Sequence, residues 1–105
     1  MEIRPAQGRF RREVMSNWKN QCAITGTRLA LEAAHIVSQA SGGNASVVNG
    51  ICLTADLHTL LDSRHQLIFD DITHLSDEAK DELRYATLVG SLLRIPRVKV
   101  HFPAL

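Results

Sequence analysis

Apolar residues recur at intervals of four near the start of the chain. In GRFRREVMSNWK, residues 8–19, Phe10, Val14 and Trp18 fall on one side of a helix, and Arg9, Arg11 and Arg12 fall mostly outside that stripe. QCAITGTRL follows, and its Thr-Gly pair predicts a turn between two short extended pieces. LEAAHIV fits a helix or a strand on pattern alone. SQASGGNAS reads as a loop, rich in Ser and Asn with a Gly-Gly pair. VVNGICLT is β-branched and bounded by turn residues, the pattern of a strand. ADLHTLLDSRH returns to helical spacing through Leu57, Leu60 and Leu61, with Thr54 as N-cap and Asp56 in the first turn. QLIFDDITHLS reads as a hairpin around Asp70-Asp71. Ser76 then caps one helix over DEAKDELRYATLVG, stopped by Gly90. Pro96 ends whatever precedes it, and VKVHF alternates like an edge strand. The middle of the chain is thus extended segment, Gly-rich loop, strand, helix.

Length and composition narrow the classes. A chain of 105 residues with 45% hydrophobic content fits one α+β domain over 1–105 and leaves no room for two. It lacks an apolar run of about 18 residues, which excludes a transmembrane helix. MEIRPAQGRFRRE is charged and has no apolar stretch of the signal-peptide type. The two cysteines, Cys22 and Cys52, exclude a disulfide framework and a four-cysteine zinc site. They read as buried thiols in a reducing cytoplasm.

Charge is unevenly spread. Residues 1–28 carry six bases against Glu2 and Glu13, residues 29–93 nine acids against three bases, and residues 94–105 three bases and no acid. An ordinary solvated surface would account for this. So would a phosphate-binding rim around an acidic, cation-attracting centre.

Three polar residues stand out in that centre. If LEAAHIV pairs with NGICLT, the loop between them brings His35 and Asn49 to the same end, and the helix can point His58 into the gap. A neutral imidazole can take a proton from water near neutral pH. A carboxamide can hold a ring or a loop in place. A second imidazole can bind a divalent ion that polarises a phosphate. Asp62 lies one turn after His58 on the same face and can grip a cation with it, or be a plain surface acid. The bet is that the two imidazoles and the carboxamide converge on one pocket roomy enough for a hydrated cation.

LEAAHI, SGGN…NG and ADLHTLLD, in that order, resemble the HNH (His-Asn-His, ββα-metal) endonucleases. The likeness is greatest to the subgroup of predicted restriction endonucleases. The upstream FRREVMSNWKNQCAITG and the downstream YATLVGSLLRIP are similar to that subgroup's flanks, so the resemblance spans most of residues 8–97. It implies a ββα-metal (His-Me finger) motif core at about 29–65, with an N-terminal helix, a following hairpin and a C-terminal helix. It implies that His35 is the general base, that Asn49 positions the loop and His35, and that His58 is a metal ligand, with Asp62 a further ligand. One divalent ion is expected, magnesium first, with manganese, nickel or zinc as substitutes. The implied activity is hydrolysis of DNA to 5′-phosphate and 3′-hydroxyl ends, and cutting both strands would call for a homodimer.

Two departures stand out. Many members carry an acid or histidine before the first His; here Ala34 stands there. Glu32 shares Ala34's side of a strand and is a candidate replacement ligand. Cys22 lacks a CxxC partner and Thr27 sits where another cysteine would be expected, so the core must hold the fold unaided. Arg9, Arg11, Arg12 and Arg28 are the candidate phosphate contacts. The backbone of Ser41, Gly42, Gly43 and Asn44 could also meet phosphate, or be a plain connection. His65 could approach the metal, although a surface role suits it better; His74 and His101 read as structural or solvated. The rival readings are a non-catalytic nucleic-acid-binding module, favoured by Ala34, and a toxin-type nuclease.

Overall fold

Helix α1 runs from Pro5 to Asn17 in a computed structural model that describes residues 5–69 and 71–103. Proline suits the first turn, where its missing N–H has no partner to lose. The four-residue stripe does what its spacing predicts: Phe10, Val14 and Trp18 are buried, joined by Met15. The helix stops where Lys19 and Asn20 turn left-handed, at φ 61° and 53°. The Arg28 guanidinium donates to the carbonyls of Lys19 and Asn20, at 3.2 and 3.5 Å, covering acceptors at that end.

Residues 22–27 form a turn, as expected, but without the two extended pieces. The Cys22 N–H donates to the Thr27 carbonyl and the Gly26 N–H to the Cys22 carbonyl. Backbone groups spent inside the turn are not free to build a ladder. Gly26 has φ 78°, and the Arg94 guanidinium occupies the space a Cβ would need. An L side chain there would be strained at that φ and would have to displace the Arg94 guanidinium.

Strand β1 (Leu31–His35) and strand β2 (Gly50–Thr54) pair antiparallel, with His35 opposite Gly50 and Leu31 opposite Thr54. LEAAHIV, ambiguous by pattern, is therefore a strand. The register sorts side chains by face. Ala33, Cys52 and His35 face α1, since Cys52 Sγ lies 3.4 Å from Met15 Sδ. Glu32, Ala34, Ile51 and Leu53 face the other way. Helix α2 (Ala55–Asp62) leaves β2 directly and packs on both strands from that second side, with Leu57 buried. The hairpin plus α2 is the expected ββα unit, and the fold class is α+β.

Strands β3 (Gln66–Phe69) and β4 (Ile72–Leu75) form the second hairpin, with Asp71 at φ 62° in its turn. Asp70, expected beside it, lies outside the described residues. Ser76 caps the next helix, its Oγ accepting from the Ala79 N–H at 3.1 Å.

The single C-terminal helix expected after Ser76 is instead two short ones, α3 (Asp77–Lys80) and α4 (Leu83–Ala86). Glu82 is extended, at φ −83° and ψ 118°. The break lets Tyr85 reach α2, where its hydroxyl donates to Asp56 at 2.9 Å, while Leu83 stays 90% exposed. A continuous helix would have had little apolar stripe to bury.

VKVHF is not an edge strand. Residues 94–102 run as a strap held by scattered hydrogen bonds instead of a ladder. Arg97 N–H donates to the Asn17 carbonyl, Val98 N–H to Asn17 Oδ1, and His101 N–H to the Val48 carbonyl. The alternation survives in part: Val100 is buried, while Val98 is 54% exposed.

Candidate active site

His58 is held between two carboxylates. Its Nδ1 lies 2.7 Å from Glu32 Oε1, and its Nε2 lies 3.3 Å from Asp62 Oδ2. The first contact follows from the register, which turns Glu32 towards α2. The second follows from the one-turn offset of Asp62. The imidazole is about three-quarters covered and Asp62 is mostly exposed.

This arrangement has an electrostatic consequence. In the tautomer that carries its proton on Nδ1, that N–H donates to Glu32 and the Nε2 lone pair faces a second carboxylate. Two acceptors so placed suit a cation between them. Ligand bonds of about 2.0–2.2 Å put neighbouring ligand atoms roughly 3.0–3.4 Å apart. His58 Nε2 and Asp62 Oδ2 meet that separation, so this pair fits one edge of a metal's shell. Glu32, expected as a third ligand, lies across the ring from Asp62 and cannot share an ion on Nε2 with it. Among the described residues, no group of three or more His, Cys, Asp or Glu is arranged to hold an ion.

His35 ends β1 on the α1 face. Its ring stacks on Phe10, with centroids 4.2 Å apart and 10° between planes. Its Nε2 is buried with no hydrogen-bond partner among the described residues. Burial lowers the pKa of His35, the His58 charge lowers it further, and Asp62 opposes both. The His58 and Asp62 charges therefore act on His35, although no hydrogen bond joins them among the described residues.

Asn49 is buried and devoted to the loop. Its Oδ1 accepts from the Val37 N–H at 2.9 Å, and its Nδ2 donates to the carbonyls of Val37 at 3.0 Å and Asn44 at 2.9 Å. Its own carbonyl accepts from the Ile36 N–H, next to His35. The carboxamide does not touch the His35 ring. Gly43 is packed so closely on the Val37 carbonyl that a Cβ has no room. The N–H groups of Ser41, Gly42 and Gly43 are already donated to Ser38 and Gln39, which leaves them unavailable to a phosphate.

His35 and Asn49 thus share the loop end of the hairpin, as the spacing predicted. His58 is hydrogen-bonded to neither of them among the described residues. A cleft of about 810 Å³ lies elsewhere, lined by Trp18, Asp71 and residues of the strap, with none of the three among them. What links His35 to His58 and Asp62 is the reach of their charges.

The other candidates have plainer surroundings. Arg9 is exposed and pairs with Glu13 at 3.9 Å. Arg11 donates to the Leu31 carbonyl at 3.3 Å, and Arg28 closes α1. Arg12 is exposed and lines a shallow cleft with Ser16, Val47 and Arg97. His65 Nδ1 lies 2.9 Å from Ser76 Oγ, tying α2's end to the second hairpin. Burial pushes the Cys52 thiol up to about 11, with Cys22 adding and Arg11 opposing, so neither a metal nor an oxidant finds a ready thiolate there.

Sequence reasoning missed three positioning residues. Trp18 Nε1 donates to the Gly50 carbonyl at 2.9 Å, opposite His35. Asn17 holds the strap at Val98, at 2.6 and 3.0 Å. Tyr85 bonds Asp56. Burial raises the Asp56 carboxyl, but hydrogen bonds from Thr54, Tyr85 and backbone N–H groups outweigh it, and its pKa falls. The helical spacing marked Trp18 as apolar; nothing in the sequence marked its N–H.

Residues 22–70 match the family model described as HNH endonuclease. The β1–β2–α2 unit lies inside the matched stretch. No curated protein and no solved structure matches the chain.

Proposed function

We propose that the chain is a metal-dependent DNA endonuclease of the restriction type, hydrolysing phosphodiester bonds. The observation that carries this reading is His58 poised between Glu32 and Asp62 on the helix of an HNH family ββα unit.

His58 Nε2 and Asp62 Oδ2 are the atoms that would hold a divalent ion, magnesium first. When bound, such an ion would supply Lewis-acid polarisation of the phosphate and neutralise charge on the leaving oxygen. Glu32 accepts the Nδ1 proton of His58 and so fixes the tautomer that presents Nε2. His35 takes a proton from water, and the lowering of its pKa favours the unprotonated ring that this needs. Phe10 holds the plane of that ring. Asn49 fixes the loop from Val37 to Asn44, and with it the end of β1 on which His35 stands. Asp62 is exposed and the shell has few protein donors, which leaves room for water and for a phosphate oxygen.

The test is cleavage of supercoiled plasmid with magnesium or manganese against EDTA. Metal-dependent nicking that His35→Ala abolishes, with DNA binding retained, is the expected result. A well-folded protein inert with every metal would instead favour a non-catalytic binding module, for which Ala34 speaks.

A further inference from the structure

The C-terminal strap carries cations that the chemistry of the β1–β2–α2 unit does not use. From Leu83 to the end of the sequence there are four bases, Arg84, Arg94, Arg97 and Lys99, and no acidic side chain. Among the described residues, Arg94, Arg97 and Lys99 form no ion pair, and all three are exposed. They line the cleft of about 810 Å³. Among the described residues, the only acid on that lining is Asp71.

These cations are held in place. Asn17, 4% exposed, spends both ends of its carboxamide on the Val98 backbone between Arg97 and Lys99. Arg97 donates its N–H to the Asn17 carbonyl and its Nε to the Ser16 carbonyl at 3.1 Å. Arg94 Nη1 donates to the Ile24 carbonyl at 2.8 Å. A loose, solvated tail would not need a buried side chain to fix its backbone. The strap also meets the rest of the site. His101 N–H bonds the Val48 carbonyl, one residue before Asn49, and Arg12 of α1 lines a shallow cleft together with Arg97 and with Glu13, an acid that pairs with Arg9.

We infer that Arg94, Arg97 and Lys99 form, with Arg12, a second binding surface for the phosphate backbone of a nucleic acid, which continues the path of a duplex beyond the His35 end of the hairpin. The inference rests on the reading of the chain as a DNA endonuclease. A pinned row of unpaired cations beside a cleft matches a polyanion with regularly spaced charges. Such contacts hold the duplex and read no sequence.

The test is fluorescence anisotropy of a labelled DNA duplex in EDTA, so that cleavage does not enter, over a series of salt concentrations. Lys99→Ala and Arg97→Gln are compared with wild type and with Lys80→Ala, an exposed base on α3, each checked for an unchanged melting temperature. Each lost phosphate contact should lower the slope of log K against log salt by about 0.9 and weaken binding. That result in the two strap variants, with Lys80→Ala like wild type, supports the surface. Strap variants that match wild type in slope and affinity would overturn it, as would an equal loss in Lys80→Ala or a wild-type protein that binds no duplex at low salt. Plasmid cleavage is scored separately. Binding that depends on the strap without any cleavage sinks the nuclease reading alone; cleavage with strap-independent binding sinks the surface alone.

Discussion

The side chain of Asn49 pairs with both backbone groups of Val37, accepting from its N–H at 2.9 Å and donating to its carbonyl at 3.0 Å. The motif asparagine therefore acts as a piece of backbone. It substitutes for the strand partner that Val37 lacks once β1 has ended at His35. Removing it strands buried groups of the loop without partners. Asn49→Ala is expected to cost about 2–4 kcal/mol of stability, read as a drop in melting temperature. Asn49→Asp is nearly the same size but turns an oxygen towards the carbonyls of Val37 and Asn44, so it should not rescue the loss. Metal affinity should change little in either variant, because His58 and Asp62 lie on α2. A variant with wild-type stability would refute the clamp.

Glu32 and Asp62 divide the two nitrogens of His58 between them, and the two carboxylates should respond differently to mutation. Asp62→Ala removes a proposed ligand. Glu32→Ala removes the group that fixes the ring, which typically costs about 10–100-fold in metal affinity. Glu32→Gln keeps an acceptor near Nδ1 and should recover part of that loss. Calorimetric titration with manganese orders the variants, with Glu32→Gln expected between wild type and Glu32→Ala. Affinity that Glu32→Ala leaves untouched would remove its positioning role. Lower pH should also weaken metal binding, because a proton competes for the space between Nε2 and Asp62.

Much of this was legible in the residues. The stripe of Phe10, Val14 and Trp18, the run of Leu57, Leu60 and Leu61, and the Ser76 cap act through local spacing, and local spacing is what a sequence displays. The pairing of β1 with β2 could be read because the Gly-rich loop leaves few other routes. What stayed hidden depends on register and on long-range polar bonds. Which face of β1 carries Glu32 and which carries His35 follows from a strand's two-residue period, yet which face α2 covers does not. The strap resembled a strand because Val98, Val100 and Phe102 alternate; Asn17, some eighty residues away, decides that it is pinned side-on and not paired. The helix after Ser76 broke because Tyr85 gains a partner in Asp56, and a helix pattern gives no sign of that.

The depressed pKa of His35 makes a prediction about acid stability. Burial, with the His58 charge next, disfavours the protonated ring, while Asp62 favours it. The folded-state value therefore lies below the ordinary value of about 6.5 that the unfolded chain keeps. Between those two values the unfolded state binds more protons, so stability falls as pH drops through that window and levels off below the folded value. His35 contributes nothing of this kind above the ordinary value. His35→Gln should flatten that part of the profile, measured as melting temperature between about pH 4 and 8. A wild-type profile as flat as that of His35→Gln would show that burial does not act on this ring. The same shift bears on the proposed base, whose acid limb in cleavage should lie below that of an ordinary histidine.

Trp18 joins the core to the end of the hairpin. Its ring is buried at 1% exposure and its Nε1 donates to the Gly50 carbonyl, while Gly50 itself is packed against Val14 and Phe10 with no room for a Cβ. Gly50 is the cross-strand partner of His35, and Phe10 is the ring on which His35 stacks. One contact chain thus runs from α1 through Gly50 to the proposed base. Trp18→Phe keeps much of the apolar volume but leaves the Gly50 carbonyl without its donor and a small void beside it, at a cost of roughly 2–4 kcal/mol. Gly50→Ala should also destabilise, since a methyl group must displace Val14 and Phe10. The two differ at the site. Gly50→Ala pushes on the ring that stacks with His35, and should move the His35 resonances in a two-dimensional NMR spectrum and its titration. Trp18→Phe acts on the far side of the Gly50 peptide and should move them less. Equal perturbation by both variants, or none by Gly50→Ala, would break the proposed link between the packing of α1 and the orientation of His35.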